Sequence, residues 1–338
     1  MRNCILFSIF LFLMACGSEQ NYSDNTTADN QEYKVESSKE DSLNLVLRND
    51  PNNIDAYLER GNLKFQDSRF QGALGDADRA LTIDSLNPEA LVLKGESQFA
   101  LEEFYESQKT FEKCLEYNPK YVPCYEKLAE ISLLRKNYEK AIGYVNDALR
   151  LDEQNYYPYY LKGWIYQEKG DSALAASSYQ TSVELNPKFY DGYIMLGSLY
   201  YNANHPLCVQ YFNTALELEP TSTEALYFMG MYYQNNEESA KATQAYNRMR
   251  AIDATDLRPW YNTGFIHLTQ NLKFDSAVYY FNQVLIQDDQ YYAAWYNRGL
   301  AHLKMGNKKQ AIADMETAVG INPDYTIAIK ALNRLTGQ

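Results

Sequence analysis

Residues 88–121 read PEALVLKGESQFALEEFYESQKTFEKCLEYNPKY, and this stretch decides the fold. Apolar residues recur at helical spacing from Glu89 to Leu101, and they do so again from Phe104 to Tyr117. Pro119 follows the second run and marks its end, because proline cannot continue a helix. The stretch therefore predicts two helices joined by a short turn.

The same pattern recurs along the chain with a period close to 34 residues. Glycine marks the period, an aromatic or apolar residue lies four places before it, and a small residue follows about twelve places after it. Small residues let two antiparallel helices approach closely, and the aromatic residue one turn earlier is expected to fill the space beside them. The marker positions are Gly61, Gly95, Gly163, Gly197, Gly230, Gly264 and Gly299, with Ala129 in the missing place.

The period divides the chain into eight repeats. They span residues 54–87, 88–121, 122–155, 156–189, 190–222, 223–256, 257–291 and 292–325. The two changes of length fall at expected turns, near His205 and Leu272. A capping helix is predicted within residues 39–51 and another within residues 326–338, because an array of repeats needs a polar outer face at each end.

This pattern resembles the tetratricopeptide repeat over about 80% of the chain. The resemblance implies an all-α fold, a right-handed superhelical solenoid of stacked antiparallel helix pairs with a concave groove. It also implies that the groove binds protein or peptide partners and that the chain is not an enzyme. The clamp by which some members of the family hold a C-terminal carboxylate is incomplete here, since Asn62 and Lys127 fit it but Leu58, Leu93 and Pro123 do not.

The N-terminus has the features of a secretion signal. A short apolar run within residues 1–15 ends in Leu13-Met14-Ala15-Cys16, which resembles the bacterial lipobox and implies a lipid on Cys16. A plain secretion signal with a chance cysteine is the alternative. Residues 16–38 are polar and are expected to form a disordered tether. In bacterial lipoproteins, the residue after the lipidated cysteine influences sorting between membranes, and Gly17 favours the outer membrane. We therefore expect a lipoprotein that faces the periplasm or the cell surface.

Composition and motifs narrow the function further. The formal charge of −13 and the absence of a basic cluster argue against nucleic-acid binding. No phosphate-binding loop, zinc motif or nucleophile elbow occurs, so we expect no catalytic residues, no cofactor and no metal. His267 and His302 occupy equivalent places in neighbouring repeats and are interpreted as packing residues.

Three cysteines within the repeats occupy positions where other repeats carry alanine. Cys114, Cys124 and Cys208 are therefore interpreted as small buried apolar residues. A disulfide between Cys114 and Cys124 is the alternative, because the end of one repeat packs on the start of the next. Cys208 would then stay free.

The candidate binding surface follows from helical geometry. Residues four and eight places after the start of a repeat lie one turn apart, on the stripe that should face the groove. In repeats 4 to 8 this stripe becomes aromatic and apolar, with a break at Ile194 and Ser198. Packing alone is the competing interpretation for its tyrosines. The predicted function is an envelope adaptor with a protein or peptide partner, and glycan capture is the alternative. The predicted groove residues are Tyr160, Trp164, Tyr227, Met231, Tyr261, Phe265 and Tyr296.

Overall fold

The computed structural model describes residues 38–337, which form eighteen α-helices and no β-strand. These residues divide into two compact parts, an N-terminal segment up to residue 153 and a C-terminal segment from residue 154. The predicted signal peptide, the predicted lipidation site Cys16 and the predicted tether up to residue 37 lie outside the described residues. Among residues 38–337, no helix is long and apolar enough to cross a bilayer.

The N-terminal segment starts with a single helix and continues with three helix pairs. The side chain of Ser38 caps the first helix and receives a reciprocal contact from Asp41, so the helix start is held by a capping box. The helices are α1 (Lys39–Asn49), α2 (Ile54–Gln66), α3 (Phe70–Ile83), α4 (Pro88–Ala100), α5 (Phe104–Tyr117), α6 (Val122–Leu134) and α7 (Tyr138–Leu151).

The C-terminal segment contains five helix pairs and one final helix. In both segments the two helices of a pair pack on each other, and the second helix also packs on the next pair within its segment. The helices are α8 (Tyr156–Glu168), α9 (Ser172–Leu185), α10 (Tyr190–Asn202), α11 (Leu207–Leu218), α12 (Thr223–Asn235), α13 (Ser239–Ile252), α14 (Leu257–Thr269), α15 (Phe274–Gln287), α16 (Tyr292–Lys304), α17 (Lys308–Ile321) and α18 (Thr326–Thr336).

At five of the seven repeated glycines, an aromatic ring of the second helix comes closest to the place where a Cβ atom would lie, and this neighbour differs from the expectation. In repeat 2, a Cβ atom on Gly95 would lie 2.6 Å from the ring of Phe111. That ring comes from the second helix, sixteen residues later, and not from the residue one turn before the glycine. The same arrangement joins Gly163 to the ring of Tyr179 at 2.5 Å. The second helix can approach this closely only because the first helix carries no side chain there.

The turn inside each pair contains one residue in the left-handed conformation. In repeat 1, Ser68 has φ 59°, and the next amide, that of Arg69, donates to the carbonyl of Lys64. This hydrogen bond, from an amide to the carbonyl five residues before it, ends the helix in a Schellman motif. Only two of the eight turns use glycine at this place. The eight residues are Ser68, Glu102, Lys136, Gly170, Asn204, Glu237, Leu272 and Gly306.

A disulfide joins Cys114 at the end of α5 to Cys124 at the start of α6. The interpretation of these two cysteines as free apolar residues is therefore wrong, although both are fully buried. The bond forms because the end of one repeat packs directly on the start of the next. Cys208 is buried and free, and burial raises the pKa of its thiol to about 11.

A candidate partner-binding face on the first helices

The predicted groove residues lie on the first helices of the C-terminal segment, and all seven are half-buried. We call the surface formed by α8, α10, α12, α14 and α16 the first-helix face. Neighbouring first helices contact each other at α10 with α12 and at α14 with α16. Half-burial means that each side chain supports the packing of the repeats and still presents part of its surface to solvent.

Tyr160 and Trp164 belong to a cluster of aromatic rings on α8. The Tyr160 ring lies 5.7 Å from that of Tyr157, 5.1 Å from that of Phe189 and 6.5 Å from that of Trp164. Phe189 is the N-cap of α10, the next first helix, so Tyr160 links α8 to the start of that helix. Such ring pairs contribute about 0.5–1.5 kcal/mol each beyond their burial. Tyr160 is thus part of the packing between repeats.

Tyr227 and Met231 on α12 both contact the following first helix. The guanidinium of Arg258 lies 4.9 Å from the centre of the Tyr227 ring. The Nδ2 of Asn262 donates a hydrogen bond of 3.5 Å to the sulfur of Met231. These contacts connect α12 to α14 and fix the orientation of both side chains.

Tyr261 and Tyr296 continue the row on α14 and α16. The hydroxyl of Tyr261 accepts a 2.8 Å hydrogen bond from Asn297 on α16, and burial raises its pKa. The Tyr296 ring lies 5.4 Å from the ring of Tyr325. Phe265, one turn after Tyr261, packs at the margin of the core between α14 and α16.

The structure brings these residues together in two groups. Tyr160 and Trp164 form one group on α8, and the residues of α12, α14 and α16 form the other. Between them lies α10, where Ile194 and Ser198 are buried. The apolar row is therefore interrupted at α10.

Three charged residues on this face were missed by sequence reasoning. Asp191 on α10 and Glu224 on α12 stand one place after the start of their repeats, and Arg258 stands at the same place on α14. Each lies three residues before the predicted stripe, and residues three apart share one face of a helix. Extending the stripe by one turn toward the N-terminus would have included them.

The pKa values of the two carboxyl groups reflect their surroundings. Burial raises the pKa of Asp191. Burial also raises the pKa of Glu224, the negative charge of Asp191 raises it further, and the positive charge of Arg258 lowers it.

The remaining tryptophans serve other contacts. The indole of Trp260 donates to the carbonyl of Ala254 at 3.3 Å, and that of Trp295 donates to the carbonyl of Asp289 at 2.7 Å. Both bonds tie a first helix to the turn before it. These indoles therefore stabilise turns and are not part of the row.

The first helices of the N-terminal segment present a different surface. Lys127 forms ion pairs with Glu96 at 2.9 Å and with Glu130 at 3.3 Å. Its ammonium group is therefore engaged and is not poised to hold a partner's carboxylate. In residues 38–337 no group of three or more His, Cys, Asp or Glu side chains is placed to hold a metal ion.

Comparisons with known proteins agree with this architecture. Family models described as "Tetratricopeptide repeat" match residues 88–121, 156–189 and 292–325. The chain is similar to tetratricopeptide repeat protein 6 of Homo sapiens, with 26% identity over 54% of this chain and 35% of the human protein. It spans about a third or less of the length of the first curated relatives that it matches.

Two solved structures show the same fold at low sequence identity. The APC/C hetero-tetramer Cut9-Hcn1 matches with a TM-score of 0.53 and 19% identity, over 88% of this chain and 58% of that chain. Pseudomonas aeruginosa pilF matches with a TM-score of 0.53 and 16% identity, over 61% of this chain and 94% of that chain. The predicted fold class is confirmed: the chain carries tetratricopeptide repeats, stacked as antiparallel helix pairs in an all-α solenoid.

Proposed function

We propose that this protein is a scaffold that binds a protein or peptide partner on the first-helix face of its C-terminal segment. A tetratricopeptide-repeat fold is typical of protein-interaction scaffolds. The observation that carries the proposal is the row of half-buried aromatic and apolar side chains on α12, α14 and α16, with Trp164 on α8. A row of this kind calls for cover by a partner. A segment that is extended or helical would lie along it.

Trp164 and Phe265 are the anchors of the proposed site. Each stands one turn after a tyrosine that is committed to contacts between repeats, and each packs only at the margin of its core cluster. A large ring that is partly covered gains most from complete desolvation by a partner. Replacing both rings with alanine should leave the inter-repeat contacts of Tyr160 and Tyr261 in place.

The test is a double variant, Trp164→Ala with Phe265→Ala, made in the full chain. Crosslinking in the intact membrane identifies the partner, and its affinity is then measured with purified proteins. We expect a loss of about 2–4 kcal/mol in binding free energy, as for other aromatic anchors. The matched control is Tyr279→Ala with Ile286→Ala on the second helix α15, where the residues are 54% and 76% exposed. Unchanged affinity in a folded double variant would refute the site.

We further propose that the protein works in the bacterial cell envelope, anchored through a lipid on Cys16. Two independent observations support this location. The first is the short apolar run that ends in Leu13-Met14-Ala15-Cys16. The second is the buried disulfide between Cys114 and Cys124, since structural disulfides persist in oxidising compartments such as the periplasm.

The anchor is tested by the substitution Cys16→Ala. The variant should appear in the soluble fraction or as unprocessed precursor, and it should take up no radiolabelled fatty acid. Stable anchoring takes more than one acyl chain, because a single chain gives only marginal binding. Equal labelling of the variant and the wild type would contradict the proposal.

Glycan capture is a second candidate, and the ring cluster on α8 favours it. Sugars stack on aromatic rings, and successive ring contacts connect five of them here: Tyr156, Tyr157, Tyr160, Trp164 and Phe189. The candidate predicts that oligosaccharides quench the fluorescence of Trp164 and that Trp164→Phe removes this signal. If no envelope oligosaccharide binds while a protein partner does, this candidate is wrong.

A further inference from the structure

A pocket of about 360 Å³ lies between α11, α12 and α13. Leu226, Met229 and Ala245 form its buried lining. Tyr233, which is half-buried, and Arg248, which is exposed, also border it. Ligand pockets have volumes of about 300–1,000 Å³, so the space suits one large side chain of a partner. None of the predicted groove residues lines the pocket, so it is distinct from the apolar row on the first helices.

In repeats 5 and 7, a tyrosine ring of the second helix fills the equivalent place. Three residues after the small buried residue of the second helix, repeat 5 has Tyr211 and repeat 7 has Tyr280. The Tyr211 ring stacks on that of Tyr200 at 5.5 Å, and the Tyr280 ring stacks on that of His267 at 5.3 Å. Tyr200 and His267 both lie three residues after the repeated glycine of the first helix. Each of these repeats therefore has a stacked pair of rings between its two helices.

Repeat 6 keeps only one ring of this pair. Tyr233 has the first-helix position, but Ala245 replaces the tyrosine of the second helix. Among the rings of residues 38–337, that of Tyr233 contacts only the ring of its chain neighbour Tyr232. The ammonium of Lys241 lies 5.2 Å from the centre of the Tyr233 ring, but its side chain is 58% exposed and does not fill the pocket. The pocket therefore lies where repeats 5 and 7 have their second ring.

The polar lining of the pocket favours a negative group beside that ring. Arg248, Gln244 and Asn213 line the pocket, and none of the three forms a side-chain hydrogen bond or an ion pair within residues 38–337. Lys241 also lines it, but Glu238 pairs with its ammonium at 2.5 Å. The unpaired cation is thus Arg248, in a chain whose formal charge is −13. A guanidinium fork matches the two oxygens of a carboxylate.

We propose that this pocket binds a segment of a protein partner in which an aromatic residue follows an acidic one. The aromatic ring stacks on Tyr233, in the place that Tyr211 and Tyr280 fill in their own repeats. The neighbouring carboxylate accepts hydrogen bonds from Arg248, and the two amide side chains of the lining are available to the backbone of the segment. This site is additional to the proposed first-helix site and does not depend on it.

The test uses four fluorescently labelled peptides of equal length, with a central pair of residues between glycine and serine. The central pairs are aspartate–phenylalanine, serine–phenylalanine, lysine–phenylalanine and aspartate–alanine. Affinity for the full chain is measured by fluorescence anisotropy at low and high salt. The aspartate–phenylalanine peptide should bind about tenfold more tightly than the other three, and its binding should weaken as salt is raised.

The first variant, Ala245→Tyr, gives repeat 6 the ring that repeats 5 and 7 already have. Because the new ring occupies the pocket, the protein should stay folded with an unchanged or higher melting temperature, and the aspartate–phenylalanine peptide should no longer bind. The matched control is Ala240→Tyr, which adds the same ring to an exposed position of α13 outside the lining. It should leave the affinity unchanged.

The second variant, Arg248→Gln, changes an exposed side chain and so does not depend on how the core tolerates a new ring. It should weaken the aspartate–phenylalanine peptide about tenfold and leave the serine–phenylalanine peptide unchanged, since only the first carries the carboxylate. The matched control is Arg79→Gln, which removes the same charge at the equivalent place of repeat 1. It should change neither affinity.

The inference is overturned if the aspartate–phenylalanine peptide does not bind at about 1 mM, or binds no more tightly than the serine–phenylalanine peptide. It is also overturned if a folded Ala245→Tyr variant binds as the wild type does. If Ala245→Tyr does not fold, Arg248→Gln decides, and equal effects of Arg248→Gln and Arg79→Gln refute the site. Trp164→Ala with Phe265→Ala should bind the aspartate–phenylalanine peptide normally, so a failure of the first-helix site and a failure of this pocket are measured separately.

Discussion

The contact between Gly95 and Phe111 gives a sharp test of how the helix pairs are held together. The substitution Gly95→Ala places a methyl group 2.6, 2.7 and 2.9 Å from three carbons of the Phe111 ring. Ordinary contact begins at 3.4 Å, so the ring must retreat by about 0.8 Å. Phe111 is only 1% exposed, so its ring can move only by displacing its neighbours in the core.

The magnitude follows from two opposing effects. Alanine in place of glycine stabilises the helix itself by about 0.5–1 kcal/mol. Overpacking of a filled core costs about 1–3 kcal/mol. We therefore expect Gly95→Ala to lower the free energy of unfolding by a net amount of about 1–2 kcal/mol. The control is Gly143→Ala on the exposed side of α7, where a methyl group meets nothing within 4 Å. It should raise stability by about 0.5–1 kcal/mol.

Urea unfolding gives the stabilities, and hydrogen exchange in α4, α5 and α7 shows which helices change. Because the helix gain is common to both variants, their difference isolates the cost of the close contact. Adding Phe111→Leu to Gly95→Ala should recover part of the loss, and this coupling is measured by a double-mutant cycle. If Gly95→Ala is as stable as Gly143→Ala, the steric explanation of the repeated glycine is wrong.

Two further predictions concern the turns and the end of the array. Leu272→Gly should stabilise the protein by about 0.5–1 kcal/mol, because a leucine at φ 52° is strained and, at 63% exposure, contributes little to the core. Gly170→Ala should destabilise the protein, because Gly170 has φ 81°. Thermal unfolding measures both changes in stability. Deleting residues 326–338 should remove amide protection from α16 and α17 before α8 and α9, since each pair is supported by its neighbours; uniform loss of protection along the C-terminal segment would contradict this.

The helix pairs could be predicted because their cause is local and repeated. A glycine every 34 residues, with apolar residues at helical spacing on both sides, leaves few other ways to bury the apolar stripes. The identity of the ring beside glycines such as Gly95 and Gly163 could not be predicted. That ring belongs to the second helix, and its place depends on the angle at which the helices cross. In the sequence, Leu91 and Phe111 are both apolar, so the pattern does not show which of them lies against Gly95.

The candidate site was predictable only in part, for a related reason. Helical spacing places Tyr227 and Met231 on one face, but it does not show that Arg258 and Asn262 reach them from the next repeat. The cysteines behave likewise, since their spacing allowed a bond between Cys114 and Cys124 and only the packing of two repeats brings them together.

The disulfide also determines how the chain responds to mechanical force. When the chain is pulled from its ends, each junction between repeats bears the full load, and the weakest junction opens first. The bond between Cys114 and Cys124 crosslinks one junction covalently. The chain between the two cysteines, a sequence separation of 10, then carries no force and cannot be extended. An extended chain spans about 3.3–3.6 Å per residue, so the oxidised protein should reach a full length roughly 30 Å shorter than the reduced protein. The bond therefore keeps the end of α5 beside the start of α6 under a load that opens the other junctions between repeats.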